Sequence, residues 1–323
     1  MVSSRLSRRI KRVSDRLNVD GGFDVIGDIL ETLRFRGSIF FRSELAAPWG
    51  MSLEMAGVPR FHVALSGDCY VGGNANNTVA VQEMDIIMLP SGNAHWIADE
   101  PGRELIPSSR AGAACELGEP LFQRGRITNR LLCGIVKFDP ASSHPLLETL
   151  PDILHFPKLA TTDPIWLTVT LIDTEMKRGH RYSEVIVDRL TEVLFLQLLH
   201  NQVESGASTT GFLAAMRDRR IHNALSLIHR DPAFNWTLES LGQQINMSRA
   251  TLVRKFQDAV GVAPMAYVSN WRIEKAHNLI SYSTRSLEDI ADTTGFASAR
   301  TLGKAYQRRY GRTPSETRRS KAN

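Results

Sequence analysis

Two sets of residues carry chemistry at a meaningful spacing. The first is Arg249, Ala250, Val253 and Arg254 in SRATLVRKFQDAV, answered by Ala299, Arg300, Thr301 and Lys304 in SARTLGKAYQRRYG. Arginine takes guanine through paired donors, and the methyl groups of Ala, Val or Thr meet the thymine methyl, so this is the chemistry of reading double-stranded DNA. Phosphate contact is the competing role for each arginine, because most protein–DNA hydrogen bonds go to the backbone. Arg308, Arg309 and Arg312 are read as phosphate contacts or solvated charge. The second set is Trp49, His62, His95 and Trp96, in a region rich in turn residues. Apolar walls with a few polar groups make a small-molecule pocket, and these four are its candidate lining. Two histidines fall short of the three protein ligands that a catalytic metal site takes. They are therefore expected as hydrogen-bonded wall residues, with no metal, cofactor or catalytic group assigned. Cys69, Cys115 and Cys133 form no CxxC pair and lack basic neighbours, so they read as inert thiols in a reducing cytoplasm.

The elements that must position these residues differ along the chain. From Gly37 to about Pro140, short apolar runs such as SIFF, RFHVAL, DIIMLP and RLLCGIVKF alternate with GD, GGN, PSGN and EPG, the texture of an all-β barrel or sandwich. Residues 23–34 read as one amphipathic helix. Beyond Pro145 the period becomes helical, and residues 182–203 are apolar round much of their circumference. Such a helix needs burial against the barrel or against a second copy, so a homodimer is among the expected partners. ESGASTTG, residues 204–211, reads as a linker. After it, Thr237 caps TLESLGQQI, Asn246-Met247-Ser248 turns the chain, and Ser248 caps the first basic helix. The pattern returns about 50 residues on: Ser286 caps SLEDIADTT, Gly295-Phe296 turns, and Ser298 opens the second basic helix. Leu252 and Phe256 correspond to Leu302 and Tyr306 as inward positions. Helix, short turn, helix sets the second helix proud of the surface for a major groove. Between the units PMAYVSNWRIEKAHNLIS reads as a rigid helical spacer.

Charge divides the same way. Of 39 Lys+Arg and 34 Asp+Glu, residues 211–323 hold 18 and 9, and residues 17–210 carry a net charge of −9. A basic module joined to an acidic one suits a polyanion partner at the basic end. No apolar run reaches the ~18 residues of a membrane span, so no membrane partner is expected. Residues 1–22 read as a basic tail without the apolar centre of a secretory signal.

SLGQQINMSRATLVRKFQDAVGVAPMAYVSNWRIEKAHNLI and IADTTGFASARTLGKAYQRRYGRTPSETRR resemble the DNA-binding domain of the AraC/XylS family of transcription regulators over about a hundred residues. Tyr306 stands where that family usually has Phe. DIIMLPSGNAHWI resembles the second cupin motif, Gly-x5-Pro-x-Gly-x2-His, with Met84 at the leading glycine. The first motif supplies only His62, with Ala64 where a second His is needed. The resemblance implies an α+β chain: a basic tail (1–22), a cupin-like β-barrel sensor with flanking helices (23–160), a helical linker or dimerisation region (161–210) and an all-α domain with two helix-turn-helix units (211–323). It also implies a cytoplasmic, sequence-specific regulator, an activator by family habit. Its partners would be double-stranded DNA, a small-molecule effector and RNA polymerase. The alternative is a metal-dependent cupin enzyme fused to a DNA-binding module.

Overall fold

The structure is a computed structural model that describes residues 23–73, 78–117, 121–139, 141–142, 144–206 and 211–322; the expected basic tail and the Cys115 side chain lie outside what it describes. The chain forms two compact units.

One unit contains the described residues between Phe35 and Asp139 and between Leu146 and Thr209. It holds strands β1 (Arg36–Leu45), β2 (Gly50–Leu53), β3 (Arg60–Ser66), β4 (Cys69–Gly73), β5 (Thr78–Val81), β6 (Ile86–Leu89), β7 (His95–Ala98), β8 (Ile106–Pro107), β9 (Asn129–Lys137) and β10 (Leu154–Phe156). They pair as two five-stranded sheets, ordered β1-β9-β3-β6-β10 and β5-β4-β7-β2-β8. Of the expected barrel or sandwich, the described strands form two facing sheets, with no closed ring of strands among the described residues. Alternation puts Leu53, Val71 and Ile97 of one sheet and Ile87, Leu131 and Cys133 of the other into one shared core, which drives the faces together.

The cupin-like turn before β7 explains its residue types. Met84, at the leading glycine position, has φ 72°, the left-handed region glycine occupies freely. Gly92 has φ 61°, and a Cβ there would lie 2.1 Å from the Val58 carbonyl oxygen. Only glycine fits at that second position.

The described residues of 161–210, read as a helical linker or dimerisation region, cluster with this same unit. Helices α4 (Pro164–Arg178) and α5 (Ser183–Ser205) pack on the sheet of β1 and β9, where Phe195 meets Phe35 and Phe138 at centroid distances of 5.4 and 5.9 Å. Arg42 of β1 donates to Asp173 of α4 at 2.7 Å. Two shorter helices are α2 (Ser108–Glu116), which packs on β2 and β8, and α3 (Pro145–Glu148). One face of α5, with Val187, Leu194 and Leu198, is buried, while Val185, Ile186, Val193 and Leu196 are exposed.

The other unit comprises α1 (Val25–Leu33), α6 (Gly211–Ala215), α7 (Arg219–Arg230), α8 (Leu238–Gln244), α9 (Arg249–Val260), α10 (Pro264–Tyr282), α11 (Leu287–Thr294), α12 (Ala299–Tyr310) and α13 (Pro314–Ala322), with the segment around His144. By its contacts helix α1 clusters with these helices: Asp28 accepts from His229 at 2.8 Å and pairs with Lys275, while Asn278 donates to the Thr32 carbonyl at 2.7 Å. His229 also bonds the Tyr267 hydroxyl at 2.7 Å, and that hydroxyl reaches His144 at 3.0 Å. Three chain segments are thereby tied to the spacer helix α10.

Candidate functional site

The helical unit repeats one device twice. Thr237, Ser248, Ser286 and Ser298 are N-caps whose side chains accept from the backbone N–H of Ser240, Thr251, Asp289 and Thr301. Such caps supply partners for helix-start donors and are each worth about 1 kcal/mol. The turns differ by one residue. In the first, Asn246 (φ 54°) takes the left-handed step and Ser248 follows two residues later. In the second, Gly295 (φ 78°) takes it and Ala297 is added before Ser298. Asparagine tolerates that conformation and serves the first turn. Glycine is required in the second, where a Cβ would crowd the Pro232 carbonyl oxygen at 2.8 Å and the Arg272 guanidinium at 2.9 Å. Arg272 itself donates to the Pro232 and Phe234 carbonyls at 2.7 and 2.8 Å, fixing the loop before α8.

Leu252 and Phe256 are buried on α9, as are Leu302 and Tyr306 on α12, so each recognition helix has a fixed inner face. The Tyr306 hydroxyl sits between His277 Nδ1 at 2.7 Å and Thr317 Oγ1 at 3.0 Å, which accommodates the departure from phenylalanine. Outward, Arg249, Ala250, Arg254, Arg300, Thr301 and Lys304 are exposed, and Val253 and Ala299 are half-buried. Arg249 is held by an ion pair with Glu239 of α8. Arg309, beyond the reader face, pairs with the buried Glu274 of α10 at 3.6 Å.

In the sheet unit a cavity of about 360 Å³ opens between β2, β3 and α2, walled by Phe41, Met51, Leu53 and Ile97 with Arg60, His62, Cys133 and Ser108. Of the four residues expected to line a pocket, His62 does so. His95 stands behind it, bonded to it. Trp49 is packed in the core, its indole N–H donating to Asn129 at 2.9 Å. Trp96 is half-buried and covers Gly72, where a Cβ would lie 2.4 Å from its ring. Sequence reading missed Arg60. Its signal was the two-residue strand period, which puts it on the same face of β3 as His62.

His62 Nδ1 lies 2.9 Å from Cys133 Sγ, His62 Nε2 lies 2.8 Å from His95 Nε2, and His95 Nδ1 lies 2.8 Å from the Asn93 carbonyl oxygen. A carbonyl only accepts, so His95 Nδ1 carries the proton. Burial, with the Arg60 charge, lowers the pKa of both rings, that of His62 well below 6.5, which favours the neutral form of each. The protons follow in one direction: Cys133 S–H to His62 Nδ1, His62 Nε2–H to His95 Nε2, His95 Nδ1–H to Asn93. Burial, followed by the other thiol, pushes the Cys133 thiol pKa upward, which keeps it a donor. Burial, then Asp68 and Asp85, raises that of Cys69 to about 12. Every ring nitrogen of the two histidines is engaged, and no group of three metal-ligating side chains converges among the described residues. This set does not fit a bound metal.

A family model described as Cupin matches residues 24–204, and one described as Helix-turn-helix domain matches residues 241–320. The HTH-type transcriptional regulator AlkR of Acinetobacter baylyi is 26% identical over 307 residues, covering 91% of this chain and 99% of its own. A putative AraC-like transcription regulator of Streptomyces lividans is 25% identical, covering 92% and 98%. Among solved structures, the DNA-binding domain of AdpA in complex with a target DNA aligns at 26% identity over 30% of this chain and 87% of that one, with a TM-score of 0.29.

Proposed function

The chain belongs to the AraC-type transcription regulators that carry an amino-terminal cupin domain, and from that premise we propose that α9 and α12 read one DNA site together. The observation that carries this reading is the repeated, capped helix-turn-helix with a buried inner face and a basic outer face. Arg249, Ala250, Val253 and Arg254 meet one stretch of major groove, and Ala299, Arg300, Thr301 and Lys304 meet the next. The sheet unit senses a small-molecule effector. The exposed apolar stripe of α5 pairs two copies. As an activator in the cytoplasm, the protein has RNA polymerase as its further partner. The metal-dependent enzyme reading is not favoured, since the relatives are regulators and the histidines bond to each other and to Cys133 and Asn93. Among the described residues no helix is long and apolar enough to cross a membrane.

The test is binding of Arg254→Ala and Lys304→Ala to a selected duplex across a salt series. A base-reading residue costs about 1–3 kcal/mol on removal and relaxes preference at one position; a phosphate contact lowers the salt slope by about one. Variants that change neither affinity, preference nor slope contradict the assignment of these faces.

A further inference from the structure

Resting on the reading that the sheet unit senses a small molecule, we propose that its ligand is an amphipathic organic carboxylate, whose head meets Arg60 and whose apolar body fills the cavity between β2, β3 and α2. The volume of about 360 Å³ lies in the range of small-molecule sites, and Phe41, Met51 and Ile97 make its wall largely apolar. Against that wall, Arg60 Nε and Nη1 are buried with no hydrogen-bond acceptor. A guanidinium cannot discharge itself by losing a proton, and a buried charged donor without an acceptor is costly.

The wall does not supply the missing acceptor. His62 presents a neutral ring whose nitrogens are engaged by Cys133 and His95, and the Cys133 proton is directed at His62. Among the described residues Glu54 is the one carboxylate lining the cavity; it is exposed, and it attracts Arg60 with no hydrogen bond between them. Helix α2 begins at the same wall with Ser108 and Ser109, adding the positive end of a helix dipole. A carboxylate provides the acceptor that Arg60 lacks. An alcohol provides a weaker one, and an ammonium adds a second cation.

The experiment uses the full chain at pH 7.5 and measures, by calorimetry and thermal shift, binding of hexanoate, octanoate, decanoate, benzoate and naphthoate against the matched primary alcohols and amines. The expected result is at least one carboxylate binding tenfold or more tightly than its alcohol and amine. Arg60→Gln removes that preference, weakening the carboxylate tenfold or more and the alcohol much less, and Glu54→Gln tightens the carboxylate further. Gly112→Leu, at a cavity-lining position where a Cβ meets nothing within 4 Å, fills the space and abolishes binding of acid and alcohol alike. Should Arg60→Gln fail to fold, the acid-to-alcohol ratio of the unmodified protein still decides. Alcohols or amines binding as well as the acids, and lost like them in Gly112→Leu, overturn the carboxylate assignment and leave small-molecule sensing standing. No binding by any member overturns both the assignment and this cavity as the sensor.

Discussion

Met84 shows how far a single residue can be read from its surroundings. The motif reserves its position for glycine, and its φ of 72° gives the reason. Met84→Gly is expected to stabilise the sheet unit by about 0.5 kcal/mol, the relief of a left-handed side chain less the greater freedom glycine has when unfolded. Gly92→Ala is expected to cost about 2 kcal/mol or more, since the added methyl meets backbone rather than a movable side chain. Denaturant melts of both variants check this, and equal effects of the two would contradict it. Tyr306 is the second instance. Removing its hydroxyl in Tyr306→Phe leaves His277 and Thr317 buried without it and is expected to cost about 1–2 kcal/mol. The sequence places this hydroxyl at an inward position, where it must find water or a partner. It does not show which, because His277 and Thr317 lie 29 and 11 residues away and meet it only through packing.

At the scale of elements, the helix-turn-helix units were legible because their signals are local: a capping residue, a left-handed turn residue and inward positions four apart. The one-residue difference between the turns was visible in the spacing of Asn246 and Gly295 to their following serines. The placement of α1 was not legible. Its amphipathic pattern shows that it has a buried face, yet not what covers that face, and Asp28 finds His229 and Lys275 across more than 200 residues. Burial acts to raise the Asp28 pKa, but hydrogen bonds from His229 and Lys275 and the Lys275 charge outweigh it and hold the carboxyl below its usual 3.8. A depressed carboxyl contributes stability above its unfolded pKa and loses it as pH falls through the folded value. Asp28→Asn is therefore expected to lower the melting temperature of the helical unit at pH 7, with the deficit narrowing below about pH 4. A deficit of the same size at pH 3 and pH 7 would remove the electrostatic part of this account. Of the pocket, only His62 was named from the sequence; the strand period that puts Arg60 on the same face went unused, and the position of Cys133 beside His62 depended on strand register.

At the scale of the whole molecule, both units keep histidines neutral by burial: His62 and His95 in one, His144 and His229 in the other. Their folded pKa values lie below 6.5, so the unfolded chain binds more protons below that pH. The stability they contribute is fully present above about 6.5 and is lost as pH falls towards each folded value, at up to about 1.4 kcal/mol per pH unit for each group. Melting temperatures measured at pH 7.5 and pH 5.5 should fall with acidity, and invariance would contradict the buried neutral rings. The division of charge, with 18 Lys+Arg against 9 Asp+Glu in residues 211–323, suits the helical unit to DNA, and on the proposed function the choice of sequence rests on the two reader faces. The most direct test of that central claim is retention of a genomic fragment library by the purified protein at near-physiological salt, followed by sequencing. Recovery of one asymmetric motif with two read segments about a helical turn apart is the expected result. Diffuse retention that disappears as salt rises would mean that only the basic charge binds, and would contradict it.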